Sequence, residues 1–111
     1  MTPMTDFTLE FHSEAPLTDQ VEAELVDEAT TRIEALRAGH KDIIDASIAV
    51  NEVTGDQTPH RYEVRIVVYM RPNNVVAREK HENVEGALKQ ALSAIERQVR
   101  EYRAKLREQS R

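Results

Sequence analysis

Cysteine is absent from this chain of 111 residues, which excludes disulfides, thiolate metal sites and cysteine nucleophiles. Glycine is scarce, and Gly39, Gly55 and Gly86 are isolated, so no glycine-rich loop can cradle a phosphate group. Apolar runs are short, IVVYM (66–70) being typical, and none has the length of a membrane span. The opening residues MTPMTDF lack the basic and apolar regions of a signal peptide, which predicts a cytoplasmic protein with no membrane partner.

Catalytic signatures are missing as well. The histidines are dispersed, and none has a second ligand at metal-site spacing; they are His12, His40, His60 and His81. The serines lack the glycine-flanked turn that exposes a nucleophile. The many carboxylates of the first half are expected on a solvated helix surface, with no apolar pocket to tune their chemistry. We therefore predict that the protein is not an enzyme and uses no cofactor, metal or small-molecule substrate.

Charge is abundant but unevenly distributed. Residues 1–60 hold 13 acidic and 3 basic residues, and residues 61–111 hold 7 acidic and 12 basic residues. The two parts therefore carry −10 and +5, which together give the net charge of −5. An asymmetry of this size bears on partners rather than on fold, and the basic second half favours a polyanion such as a nucleic acid.

Hydrophobic periodicity predicts six elements. Alternating residues such as Phe7, Leu9 and Phe11 indicate strands, and apolar residues three or four apart indicate amphipathic helices. Thr18 and Asn83 are suited to cap the two helices, and Gly39 to end the first. The predicted strands are 6–12, 43–53, 61–71 and 74–80, and the predicted helices are 18–37 and 83–108.

The order β-α-β-β-β-α predicts an α+β fold. A helix joins the first two strands, which should be parallel, and short turns join the last three into an antiparallel meander. Both helices then need the same sheet face, so we expect a two-layer sandwich with a four-stranded mixed sheet and one open face. The second strand should bury Ile44, Ala46, Ile48 and Val50. We expect one domain over 1–111, frayed at 1–5 and 109–111.

The last helix supports two interpretations. Residues 97–111 hold six basic and two acidic residues. The pairs Glu85–Lys89, Glu96–Arg100 and Glu101–Lys105 have the spacing of stabilising ion pairs, so the charge could serve the helix alone. The alternative is phosphate contact, because Arg97, Arg103, Arg107 and Arg111 have no dedicated acid in the helix. The helix is also longer than a strand, so its last turns should overhang the sheet.

A second basic group precedes this helix, with the same two interpretations. Its members are Arg61, Arg65, Arg71, Arg78 and Lys80. If the fourth strand leads directly into the helix, Arg78 and Lys80 lie near the helix N-terminus, where free N–H groups also favour phosphate. Ordinary strand-surface charge, which discourages aggregation at a sheet edge, accounts equally well for them.

The segments YEVRIVV (62–68) and VVAREKHENVEGALKQALSAIERQVREYRAKLR (75–107) resemble the ribosome hibernation-promoting factor family, which includes ribosome-associated translation inhibitors. TDQVEAEL (18–25) is similar to the start of the family's first helix. Five residues match the family's strand-and-helix signature: Val75, Ala77, Glu79, Ala87 and Leu88. Asn83 stands where the family has Asp, Glu85 where an aromatic is expected, and Lys89 where an acid is expected.

The first helix departs most from the family. It is usually basic there, whereas this chain has Glu24, Asp27 and Glu28, and the sequence pI is about 5.4. Half of the family's electropositive cleft between the helices is therefore expected to be missing or inverted.

The resemblance implies binding to ribosomal RNA of the small ribosomal subunit, in the channel for messenger and transfer RNA. It implies inhibition of translation by occupancy, as ribosome hibernation in stress or stationary phase. It also implies a short form without the family's C-terminal dimerisation domain. Carried over by segment, the RNA-binding residues are Arg78, Lys80, Lys89, Arg97, Arg100, Arg103 and Arg107.

A second hypothesis is a divergent member that binds protein, or forms a homodimer, without binding ribosomes. Its contact would be the open sheet face, where Val67, Tyr69 and Ala49 could form a modest apolar patch. The acidic first helix could also dock onto the basic second helix of another copy, as in a symmetric homodimer. Singly exposed apolar residues are common, however, and can account for Val67 and Tyr69 alone.

Overall fold

Six elements form in the order that the periodicity predicts. The structure, a computed structural model, describes residues 7–53 and 61–109. The predicted turn at 54–60 and the predicted fraying at 1–5 and 110–111 fall outside the described residues, while Gln109 closes the last helix. The elements are β1 (Thr8–Ser13), α1 (Asp19–Arg37), β2 (Ile43–Glu52), β3 (Tyr62–Met70), β4 (Val75–His81) and α2 (Val84–Gln109).

The four strands form one mixed sheet in the order β1-β2-β3-β4. β1 and β2 are parallel, and β2, β3 and β4 form an antiparallel meander, which confirms the predicted topology. One sheet face and the inner sides of both helices share a single hydrophobic core, so the helices lie on the same face and the other face is open. No described helix is long and apolar enough to cross a membrane.

The core follows the predicted stripes, with one correction in β2. Ala46, Ile48 and Val50 are buried as expected, but Ile44 is exposed and Ile43 is buried in its place. The cause is a shift in the register with β3 between positions 43 and 45. Alternation fails there because a bulge adds one residue to one strand and reverses which side chains face inward. Ile44 therefore joins the open face.

Local interactions define the helix ends as predicted. The Thr18 hydroxyl accepts a hydrogen bond from the Val21 N–H at 3.1 Å, and Asn83 Oδ1 accepts one from the Gly86 N–H at 2.6 Å. Gly39 follows α1 with φ of 77°, a left-handed conformation that favours glycine. Gly86 also makes room for the His81 ring, since a Cβ at position 86 would lie 2.5 Å from His81 Nδ1.

The last turns of α2 extend past the main core, as its length predicts. Val99 is the last fully buried residue of the helix. Beyond it the half-buried Tyr102 still packs against the core, and its hydroxyl accepts a hydrogen bond from the Asn73 N–H at 3.0 Å. Arg103 provides a second anchor, described below. This part of α2 is thus held by polar contacts with the β3–β4 turn and the α1–β2 connection as well as by the packing of Tyr102.

Candidate nucleic-acid interface

Four predicted RNA-binding residues lie on the outer side of α2: Lys89, Arg97, Arg100 and Arg107. All four are exposed. At 3.6 residues per turn they fall within about 80° of one another, opposite the buried stripe of the helix. Ser93 lies between Lys89 and Arg97 on the same side and is also exposed. We call these four exposed cations the outer band of α2; they lie along the helix surface opposite the core.

None of the three predicted ion pairs within α2 forms. In residues 7–53 and 61–109 the ion pairs are Arg32–Glu28, Arg32–Glu96, Arg78–Glu63 and Arg103–Asp42. Glu96, the expected partner of Arg100, instead binds Arg32 of α1, and Arg100 is near enough only to help lower the pKa of that carboxyl. The cations of the outer band are therefore not neutralised by the acids one turn before them.

Arg103 is the exception among the basic residues of α2. Its Nε and Nη2 donate to the two carboxylate oxygens of Asp42, both at 2.8 Å, and Nη2 also donates to the Leu36 carbonyl at 2.9 Å. Its side chain is only 12% exposed. The hydrogen bonds from Arg103 hold the pKa of Asp42 below its ordinary value, against the opposing effect of burial. Arg103 was expected to lack a dedicated acid; it has one, 61 residues away in the sequence.

A second clamp joins the two helices near their middle. Arg32 of α1 donates from Nε and Nη2 to both carboxylate oxygens of Glu96, each at 2.9 Å, and from Nη2 to the Ser93 hydroxyl at 3.2 Å. Hydrogen bonding by Arg32 lowers the pKa of Glu96, and the same contact raises the pKa of Arg32. Arg–carboxylate pairs of this two-pronged form fix orientation as well as charge. The clamp thus sets how α1 sits beside α2.

The hollow between the two helices is mainly acidic, as the composition of α1 predicts. Glu24 and Glu28 of α1 and Glu85 of α2 line it, and Lys89 is its one basic residue, with Leu25 and Leu88 at its base. A phosphate group entering this hollow would meet three carboxylates and one ammonium group. The hollow is therefore unfavourable to nucleic acid. Lys89 lies at its rim, whereas the other three outer cations, Arg97, Arg100 and Arg107, do not line it.

Arg78 and Lys80 do not join the α2 band. They alternate with the buried residues Val75 and Ala77 along β4, so they point to the open face, away from the helices. Both residues are close to the start of α2 in the sequence, as predicted, but their side chains point away from the helix. The seven predicted residues therefore divide into four on outer α2, two on the open face and Arg103 within the fold.

The open face brings together residues that are far apart in sequence. Arg78 lies directly opposite Arg65 of β3, and Lys80 opposite Glu63. Glu63 forms a 3.7 Å ion pair with Arg78, whose side chain is 60% exposed. Like charges directly opposite each other on a sheet are destabilising, so the Arg65–Arg78 arrangement is not explained by fold stability.

Some of these contacts could have been predicted from the sequence, and others could not. Once the turn at 72–74 joins β3 to β4, counting outward from it pairs position 65 with position 78. No comparable rule pairs Arg32 with Glu96, because β2, β3 and β4 lie between their two helices in the sequence. In the described parts of the chain, no group of three or more His, Asp or Glu residues is placed to hold a metal ion.

Comparison with protein families finds one match over most of the chain. Residues 16–107 match the family described as sigma 54 modulation protein / S30EA ribosomal protein. The matched region begins before α1 and reaches into the last turns of α2, so it contains every predicted RNA-binding residue. No curated protein matches the chain.

Solved structures share the fold. A ribosomal subunit interface protein from Coxiella burnetii superposes with a TM-score of 0.68 at 14% identity, covering 87% of this chain and 98% of that one. The N-terminal domain of Protein Y from Thermus thermophilus gives a TM-score of 0.62 at 17% identity, covering 89% and 99%. At these identities the likeness establishes the common architecture of sheet and helices.

Proposed function

Because the chain belongs to the sigma 54 modulation protein / S30EA ribosomal protein family, which is ribosome-associated, we propose that it binds the small ribosomal subunit and inhibits translation. It would do so by occupying the channel for messenger and transfer RNA. The inhibition fits ribosome hibernation, under stress or in stationary phase, in the cytoplasm where the ribosomes are. The fold shared with a ribosomal subunit interface protein is consistent with this proposal.

The mechanism is occupancy rather than chemistry. A folded domain held in the channel excludes the RNA molecules that need the same space. Cations at the contact replace the counterions condensed on the RNA, and their release favours binding. Contacts with phosphate and sugar position a protein without reading sequence, which suits a ligand as constant as ribosomal RNA.

The observation that carries the proposal is the exposed outer band of α2. Lys89, Arg97 and Arg107 form no ion pair with any described residue. Arg100 adds a fourth exposed cation between them. The band is attached to a rigid element, because the opposite side of the same helix is buried in the core through Leu92, Ile95 and other residues.

The acidic hollow determines how the RNA would approach. Its three carboxylates disfavour a strand lying between the helices, so we propose that the backbone of the RNA follows the outer side of α2. Arg103 then serves the interface indirectly: by binding Asp42 and the Leu36 carbonyl it fixes the last turns of α2, where Arg107 lies. Arg103 is in this view a positioning residue rather than an RNA contact.

Co-sedimentation of the purified protein with small ribosomal subunits tests the proposal directly. We expect the protein to pellet with small subunits at near-physiological salt and to inhibit translation in a cell-free system at matching concentrations. Log K should fall by about 0.7–0.9 per phosphate neutralised for each tenfold rise in salt. Protein that stays in the supernatant at low salt, with translation unaffected, would rule the proposal out.

A further inference from the structure

The open sheet face carries a combination of features that ribosome binding by α2 does not use. The large exposed hydrophobic residues of the described chain are Ile44, Tyr69 and Val76, and all three lie on this face. Single exposed apolar residues are ordinary, but their confinement to one face is characteristic of a contact surface. Val67, half-buried, lies directly opposite Val76 and extends the apolar strip.

Charge on this face is divided between its two halves. The β1–β2 half presents the acids Glu10 and Asp45, and the β3–β4 half presents the bases Arg65, Arg78 and Lys80. Glu63 is the acid of the basic half, where it pairs with Arg78. The apolar strip crosses the basic half and reaches β2 at Ile44, at the end of the sheet next to the β3–β4 turn.

The face is also uneven in shape. Ser47 and Ala49, two small residues of β2, leave a shallow hollow between β1 and β3, bounded by Glu10, His12 and Arg65. On the neighbouring strand β3 the corresponding positions carry larger side chains: Val67 lies opposite Ser47, and Arg65 opposite Ala49. A hollow over β2 thus accompanies a ridge over β3.

From these three features we infer that the open face binds a second copy of this chain, face to face, about a two-fold axis parallel to the strands between β2 and β3. That rotation lays the β3–β4 half of each copy on the β1–β2 half of the other. The ridge of β3 then fits the hollow over Ser47 and Ala49, with Val67 of each copy over Ser47 of the other. Glu10 of each copy lies over Val76 of the other, and Arg78 is the next outward-facing residue of β4 on the same face.

A polyanion fits this face less well than a second copy does. The bases would attract phosphate groups, but Glu10 and Asp45 on the other half of the same face would repel them. A two-fold contact uses both signs, because each acidic half meets a basic half, as an isologous interface requires. It also gives the adjacent Arg65 and Arg78 an acidic counterpart, which the isolated chain does not provide.

The size of the face predicts a weak dimer. With strands about 4.8 Å apart and about 3.4 Å per residue, four strands of about seven residues present about 450 Å² per copy. The total of about 900 Å² is below the roughly 1,200–2,000 Å² of stable interfaces, so the dimer should be concentration-dependent and salt-sensitive. Both helix layers stay on the outside, so the α2 band remains free for RNA.

Sedimentation velocity without RNA, from micromolar to millimolar protein, tests the inference apart from any ribosome binding. We expect a monomer–dimer equilibrium at low salt that shifts toward monomer at high salt. Glu10→Lys and Arg78→Glu should each weaken the dimer by at least about tenfold, because each places like charges across the interface. An equimolar mixture of the two variants should restore it, since both contacts in the mixed dimer are then of opposite sign.

The matched control is Arg97→Glu, which makes the same charge change as Arg78→Glu on the other side of the molecule. It should leave the dimer unchanged while weakening RNA binding. Circular dichroism and thermal melting establish that each variant is folded, and Val76→Ser, which only removes apolar contact, should also weaken the dimer. Monomer at every concentration, or a mixture that fails to associate, would overturn the inference. Loss of the dimer in Arg97→Glu would overturn it too, and would favour contact through α2.

Discussion

Arg103 and Arg107 stand about one turn apart on α2, yet they do different things. Arg103 binds Asp42 and is 12% exposed, whereas Arg107 is exposed and forms no ion pair with any described residue. The same contrast separates the two sides of the helix. On the inner flank Asp42 of the α1–β2 connection neutralises Arg103, and Arg32 of α1 neutralises Glu96, whereas the cations of the outer side are exposed. A count of arginines therefore overstates the positive charge that is available to a partner, and position decides which arginines are free to bind.

The strongest test of this contrast removes the outer cations together. We expect Arg97→Gln, Arg100→Gln and Arg107→Gln in one protein to weaken small-subunit binding by about 100-fold, at about 1 kcal/mol for each lost charge-assisted contact. The dependence of log K on log salt should become shallower by about 2–3. The free energy of unfolding should change by less than about 0.5 kcal/mol per site, because these side chains are exposed. Filter binding at several salt concentrations and urea unfolding measure the two quantities.

A control with the same change in net charge separates position from charge. Arg61→Gln, Arg65→Gln and Arg71→Gln remove three exposed cations from the β3 side of the molecule. If this control weakens binding as much as the α2 triple, the outer band is not the contact and overall charge governs affinity.

The converse test breaks the inner flank. Arg103→Met should lower the free energy of unfolding by about 2–3 kcal/mol, because it leaves the Asp42 carboxylate and the Leu36 carbonyl without their shared donor. Small-subunit binding by the folded protein should weaken only by about twofold, because Arg103 positions Arg107 without contacting the RNA. Arg107→Met makes the same substitution on the outer side and should reverse the pattern, with stability kept and binding weakened. Equal stability losses in the two variants would remove the distinction between the two sides.

The helix–helix clamp should show a smaller effect of the same kind. Arg32→Met leaves Glu96 without its two-pronged partner, and we expect a loss of about 1–2 kcal/mol in the free energy of unfolding. A double-mutant cycle with Glu96→Gln isolates the pair from the surrounding packing. A coupling energy near zero would mean that the Arg32–Glu96 pair stabilises the fold no more than an ordinary surface ion pair does.

Most of the fold could be read from the sequence because it is encoded locally. The period of each segment, the caps at Thr18 and Asn83 and the short turns between strands fixed the element order and the mixed topology. The error at Ile44 arose where a register shift interrupts alternation, and nothing in IIDAS marks that shift. The bulge became visible only once β2 was paired with β3.

The candidate site was less predictable, because its residues are sorted by contacts across the fold. The resemblance placed Arg103 among the RNA-binding residues, while its partner Asp42 lies 61 residues away, in a connection with no periodicity. Likewise, Glu96 binds Arg32 on the other helix rather than Arg100 one turn away. Sequence spacing describes neighbours within a helix, and these pairs join different elements.

Acid should weaken the inner flank selectively. The pKa values of Asp42 and Glu96 are lowered in the folded chain by their arginine partners, so the folded state binds protons less readily than the unfolded state. Both contacts contribute fully above the ordinary carboxyl pKa of about 4, and the contribution is lost as pH falls through the lowered values. Urea unfolding from neutral pH to about pH 3 should show this loss. In Arg103→Met the decline should be smaller, since Asp42 no longer has its partner; an identical decline would assign the acid sensitivity to other groups.

The acidic hollow provides the smallest and most discriminating test, because it lies between α1 and α2, next to the outer cations at Lys89. Replacing Glu24 and Glu85 with Gln removes two of its carboxylates, and neither residue forms an ion pair with a described residue. If RNA follows the outer side of the helix, these charges act on it only at a distance and through solvent, so affinity should rise by about two- to threefold. Asp27→Asn with Glu34→Gln makes the same change in net charge elsewhere on α1 and should have a smaller effect. A gain of a hundredfold or more in the hollow variant would instead place the RNA between the helices, with the hollow as the limit on affinity.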